Sequence, residues 1–174
     1  MGNFDIEKDQ PVLPWVNQFY YSVFPGLRQC YTVLDKEKQI LGIDKILRFK
    51  VMPSITIDEK IRYKFYKGDI LLEEYSNWER QTPGWLMKDH ALCDYISYIV
   101  RTEKLVYLLD YRKLKFNWDK NYEKWLNKYK RKFGKTTDRY GNVLYHTSNI
   151  PVPIKELEIA HSNPRNISIS AGSD

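Results

Sequence analysis

The chain has 174 residues, 43% hydrophobic and 29% charged, which fits one globular domain with a sizeable core and excludes global disorder. No run approaches the roughly 18 apolar residues of a membrane span. The formal charge of +6, from 28 Lys and Arg against 22 Asp and Glu, is a mild bias compatible with a polyanionic partner.

The opening MGNFDIEKDQ lacks the basic-then-apolar layout of a signal peptide, and Ile6 stands where a myristoylation motif wants Ser or Thr. Cys30 and Cys93 are outside any CxxC or Cys/His cluster, so the expectation is two reduced thiols, no zinc, and a cytoplasmic protein. Residues 11–24 (PVLPWVNQFYYSVF) carry Trp15, Val16, Phe19, Tyr20 and Val23 at helical spacing, with Pro14 in the first turn and Pro25-Gly26 as a stop. Extended segments follow at 28–35, 40–51, 55–66 and 69–76, separated by DKEKQ, MPS and KGD, which read as turns. Leu86, Met87, His90, Ala91, Asp94, Tyr95, Tyr98 and Ile99 are spaced as an amphipathic helix over 86–100. LVYLLDY at 105–111 reads as a strand, and 113–133 as a long basic helix stopped by Gly134. A strand in RYGNVLYHTS and a short helix in PVPIKELEIA complete the order α-β-β-β-β-α-β-α-β. That order predicts an α/β (α+β-like) fold, a mixed central sheet flanked by helices, as a single domain over 1–160. The polar tail 161–174 has no periodicity and is expected to be loose or ordered by a partner.

Asp44 stands near the start of one predicted strand, and Asp58 and Lys60 on the next. Two residues apart on a strand means one face, so Asp58 and Lys60 project together while Glu59 points away. If the strands are hairpin neighbours, Asp44 joins them. Two close, half-buried carboxylates must protonate or bind a cation. Magnesium suits them, since it takes oxygen ligands and keeps water and substrate phosphate in its other positions. An adjacent ammonium can neutralise charge developing on a phosphodiester. The plainer alternative is an exposed sheet face with ordinary salt bridges.

Gly42-Ile43-Asp44 followed by Ile57-Asp58-Glu59-Lys60 resembles the PD-(D/E)XK nuclease superfamily, the restriction-endonuclease-like fold. The family signature is a carboxylate early in one strand and (D/E)-x-K on the next, in the order helix, three strands, helix, strand; the resemblance covers residues 11–111. Ile43 replaces the usual Pro, and Asp58 is the less common acid. The resemblance implies a metal-dependent nuclease with an αβββαβ core. Its catalytic residues would be Asp44, Asp58 and Lys60, and its Mg²⁺ or Mn²⁺ ligands Asp44, Asp58 and Glu73, the last matching an extra acid that some members carry on the following strand. Glu74 competes with Glu73 for that role. The first-helix Glu of many members has no match in PWVNQFYYSVF, which leaves Glu7, Asp9, Asn17 or Gln18 as substitutes, or no ligand.

Aromatic residues interleave with Lys and Arg in LDYRKLKFNWDKNYEKW and LNKYKRKFG, a mixture that suits nucleic-acid backbones and bases, or simply amphipathic elements with solvated Lys heads. Lys88, Lys124, Lys128 and Arg131 are the candidate nucleic-acid contacts, with DNA favoured over RNA, no membrane, and room for a homodimer. His90, His146 and His161 match no metal or catalytic motif, and no glycine-rich phosphate loop exists. The rival expectation is a catalytically inactive adaptor of the same fold.

Overall fold

The computed structural model describes residues 13–63, 68–88 and 91–157. In chain order its elements are α1 (Pro14–Val23), β1 (Leu27–Thr32), α2 (Lys36–Ile40), β2 (Lys45–Phe49), β3 (Ile55–Arg62), β4 (Asp69–Asn77), β5 (Thr82–Pro83), β6 (Tyr95–Val100), β7 (Leu105–Asp110), α3 (Tyr111–Lys128), β8 (Lys132–Thr137), β9 (Val143–Pro153) and a 3₁₀ turn (Ile154–Glu156). The proposed tail 161–174 lies outside the described residues.

Content is mixed α/β as expected, but the strands form two sheets rather than one. The first is mixed, in the order β1-β2-β3-β6-β7, and the second is antiparallel, in the order β5-β4-β9-β8. β1, β2 and β3 form an antiparallel meander, and β6 lies parallel to β3. Alternation along β3 assigns its faces. Ile57 packs beneath α1 with Val16, Tyr20, Leu27, Leu47 and Ile99, so Asp58, Lys60 and Arg62 take the opposite face. That face turns toward the larger core, where Ile96, Tyr98 and Val100 of β6 meet Ile70 and Leu72 of β4, Ile150 and Val152 of β9, and Leu114, Trp118 and Trp125 of α3. Two polar links also join the sheets: Arg62 to Asp69 at 2.6 Å, and the Leu71 N–H to the Tyr98 hydroxyl at 3.1 Å.

Four expectations about the elements are corrected. The helix expected over 86–100 is absent: residues 85–87 form a turn and 95–100 are strand β6. A strand buried on both faces has no polar alternation, so its apolar residues match helical spacing by density alone. Among the described residues no helix occupies the parallel β3-to-β6 connection, which passes through β4 and β5 instead. Helix α3 starts at Tyr111, where the Asp110 carboxylate accepts the Lys113 N–H at 3.0 Å, and ends at Lys128, so the expected 113–133 span is cut short. Gly134 is not a helix stop but a β8 residue paired with Thr147, where a Cβ would meet Thr147 Oγ1 at 2.6 Å. The polar stretch after Val33, read as a turn, winds into α2 behind an Asp35 cap that accepts the Glu37 N–H at 3.0 Å. In PVPIKELEIA, residues 151–153 extend β9 and only the 3₁₀ turn is helical.

Candidate active site

Asp44 precedes β2, where its main chain joins both neighbours: its C=O accepts the Val33 N–H at 2.8 Å, and its N–H donates to the Ile57 C=O at 2.9 Å. Its carboxylate accepts the Glu59 N–H at 2.8 Å. That bond anchors the side chain on β3 beside Asp58, the neighbour expected from the strand spacing. Asp58 is only 3% exposed and takes an ion pair from Lys60 at 2.6 Å. Asp44, Asp58 and Lys60 are therefore brought together on one side of the first sheet.

The electrostatics follow from that crowding. Burial, then the Asp58 charge and a hydrogen bond shared with Asp58, push the Asp44 carboxyl up to about 7, against the Glu59 N–H and the Lys60 charge. Crowding against Asp58 thus makes the charged form of Asp44 costly unless a cation offsets it. Burial alone would lower Lys60, but Asp58, Asp44 and Glu73 together raise it, so it stays an ammonium. Lys60 Nζ lies 5.9 Å from the Trp85 ring centroid.

The second sheet supplies Glu73 and decides between it and Glu74. Neighbours on a strand point to opposite faces, and alternation along β4 sets Glu74 with buried Ile70 and Leu72 and Glu73 on the other side. Glu73 turns toward the site: burial raises its carboxyl, opposed by Lys60, by the Trp85 N–H and by Lys88. Glu74 turns toward α3, where Arg131 grips it at 2.7 and 2.8 Å, Ser148 donates at 2.9 Å, and the Tyr122 hydroxyl also bonds it. Glycines shape the rim. Gly42 has φ 75°, and a Cβ there would lie 3.3 Å from Asp58 Oδ2. A Cβ on Gly84 would meet the Glu73 carbonyl oxygen at 2.5 Å. The Leu92 N–H donates to the Leu41 C=O at 2.9 Å, tying the segment before β6 to this end of the site. Cys93 is pushed up to about 12 by burial and the Asp58 charge, which keeps it an unreactive thiol.

The first-helix substitutes do not reach the acids. Asn17 faces the other side of the sheet, where it accepts from Lys45 Nζ at 3.4 Å and Cys30 Sγ at 3.5 Å. Gln18 is exposed, and Glu7 and Asp9 lie outside the described residues. Among the expected nucleic-acid contacts, Lys88 stands half-buried beside Glu73 and Lys124 is exposed on α3. Lys128 pairs with Glu156 at 2.6 Å, and Arg131 is occupied by Glu74 and lies 5.3 Å from the Trp78 ring centroid. Lys113 and Lys115 of the same helix pair with Asp110 and Asp119. His90 and His161 lie outside the described residues, while His146 pairs with Glu79 at 2.6 Å. Sequence reasoning passed over Lys45, Tyr20 and Glu59, a buried polar group beneath α1 in which the Tyr20 hydroxyl donates to Glu59 at 2.8 Å. Its only sequence signal was strand parity, which sets Glu59 opposite Asp58.

Among the described residues, no three His, Cys, Asp or Glu side chains form a group able to hold a metal ion. A pair is present, however, and two carboxylates satisfy a hard ion that completes its shell with water and phosphate. The crowding that raises Asp44 is what a bound cation would relieve, so the donor set fits magnesium or manganese. No family model matches the chain, nor does any curated protein or solved structure.

Proposed function

We propose that this chain is a nuclease that hydrolyses nucleic-acid phosphodiesters with Mg²⁺ or Mn²⁺, using a site of the restriction-endonuclease-like kind. The observation that carries the reading is the buried pair Asp44 and Asp58 with Lys60 against it, on adjacent elements. Asp44 and Asp58 would hold the ion, and Asp44 gives up its proton when the pair becomes fully ionised. When bound, the ion supplies Lewis-acid polarisation of the phosphoryl group and a more acidic water. Lys60, kept charged by three carboxylates, sets an ammonium against the negative charge that grows on the phosphodiester oxygens. Glu73, fixed by the Trp85 N–H, holds Lys60 from the opposite sheet. Lys88 at the rim stands where a flanking phosphate would enter.

The second reading, an adaptor that binds without cleaving, is favoured by the absence of a third clustered acid among the described residues. The deciding experiment incubates the protein with supercoiled and linear DNA, single strands and RNA in Mg²⁺ or Mn²⁺. A nuclease cleaves at least one, and Asp58→Asn and Lys60→Ala each lower turnover by orders of magnitude while binding survives, since both groups act chiefly in the transition state. No cleavage of any polymer, with no metal-dependent rise in melting temperature, would replace the nuclease by the adaptor.

A further inference from the structure

At its β8 end the second sheet carries an exposed aromatic cluster. Its centre is Phe133 on β8, 51% exposed. That ring is fixed edge-to-face against Trp78 at a centroid distance of 5.3 Å, and Trp78 in turn against Tyr75 at 5.5 Å. Phe133 pairs with Ser148 across the β8–β9 ladder, and Lys135 pairs with His146, so all four share one face. Lys135 is exposed and stands two residues along the strand from the ring, about 6.7 Å away.

His146 is oriented by its neighbour. Bonds from the His146 N–H at 3.0 Å and from its ring lower Glu79 to about 2, so the carboxylate is ionised and can only accept. The contact at 2.6 Å to Nδ1 therefore places the ring proton on Nδ1, which leaves Nε2 on the far side of the ring for another partner. A half-exposed aromatic ring, an ammonium two residues along the strand and a hydrogen-bonded imidazole are groups of three kinds. They match the three parts of an unpaired nucleotide: a π-face, a phosphate and a polar edge.

We infer that this face binds single-stranded nucleic acid, with one base stacked on Phe133, the adjacent phosphate on Lys135, and His146 Nε2 bonded to that nucleotide. Duplexes cannot use the site, because their bases are already stacked and their π-faces covered. The occupant is argued from this charge and ring complementarity. The inference goes beyond the nuclease reading and does not depend on cleavage at the carboxylate site.

The test is fluorescence anisotropy of a labelled ten-nucleotide oligothymidine and of a duplex of equal length, with the full chain in EDTA so that no cleavage intervenes. Phe133→Leu is expected to weaken oligothymidine binding by at least about fivefold, the loss of one base–aromatic stack, and to leave duplex binding unchanged. Lys135→Ala, a surface change that does not threaten folding, should reduce the salt slope of oligothymidine binding by about 0.7, one phosphate contact on a single strand. Failure of the parent to bind oligothymidine would overturn the inference. So would parental affinity and salt slope in both variants, which would assign the exposed ring to a protein partner. The nuclease reading fails separately, through absent cleavage and absent metal stabilisation while oligothymidine binding in EDTA persists.

Discussion

Glu74 has no exposed surface, and its charge is tolerable only because Arg131, Tyr122 and Ser148 all donate to it. Burial pushes this carboxyl up, and those hydrogen bonds outweigh burial and hold it below the ordinary range. A depressed carboxyl binds fewer protons in the folded state than in the unfolded one. Its contribution is therefore complete above the unfolded value, about 4.3, and is lost as pH falls below it. Replacing Glu74 with Gln should cost about 1–3 kcal/mol at neutral pH by weakening its bonds from Arg131, Tyr122 and Ser148, and should flatten the acid limb of the melting profile. Asp58→Asn should behave differently. It relieves crowding with Asp44 but also removes the 2.6 Å partner of Lys60, which keeps Asp44 and Glu73 beside it, so melting without metal should be nearly unchanged. Mn²⁺ at 100 times its Kd should stabilise the parent by about 2.7 kcal/mol and leave the variant unmoved; equal shifts in both would dissociate the ion from Asp58. At this scale the sequence was informative wherever parity ruled: Asp58, Lys60 and Glu59 fell on the expected faces. It could not choose Glu73 over Glu74, because parity separates the two acids without saying which face of that strand meets the first sheet.

Turns and strands position the site, and two glycines make them sensitive. At Gly84 an added methyl meets backbone, the Glu73 carbonyl oxygen at 2.5 Å, and backbone cannot swing aside. Gly84→Ala should lower stability by about 1–3 kcal/mol, read as a fall in denaturant midpoint. Gly42→Ala adds left-handed strain at φ 75°, of order 1–2 kcal/mol, and presses on Asp58; a melting temperature equal to the parent's would refute the close approach. Elements with one buried face were legible: α1 from its apolar stripe, β3 from its alternation. β6 was not. Buried on nearly every position, it carries no period, and Leu86 and Met87 before it extended its apolar density to helical length. The end of α3 was misread because Tyr129 and Phe133 continue a helical rhythm that in fact spans a helix, a break and a strand.

At the scale of the molecule, one core joins both sheets, since Leu72 and Ile150 of the second meet Ile96 of the first around Trp118. Unfolding should therefore be a single transition, with near- and far-ultraviolet circular dichroism sharing one midpoint. Trp118→Ala, truncating a side chain 1% exposed, should shift both signals together at a cost of about 3–5 kcal/mol. Separate midpoints would make the sheets independent units. The second sheet was invisible in the sequence for a physical reason. Strand signals report that a segment is extended, whereas partnership between segments as distant as β4 and β9 is decided by tertiary packing.

That distance sets the order of assembly. Asp44 and Asp58 belong to a local meander and can meet once the first sixty or so residues have been made, whereas β4 finds its neighbour through pairs such as Asp69 with Pro153. Glu73, paired with Asn149, consequently waits for a closure spanning about 76 residues, an entropic cost that rises slowly with loop length but must be met before any contact repays it. During synthesis the acid pair would thus exist for some seconds, at about 5–20 residues per second, without the carboxylate that steadies Lys60 from the far sheet. The apolar faces of β4 and β6 stay uncovered until α3 and β9 have emerged, and in that interval the chain is at its greatest risk of aggregation.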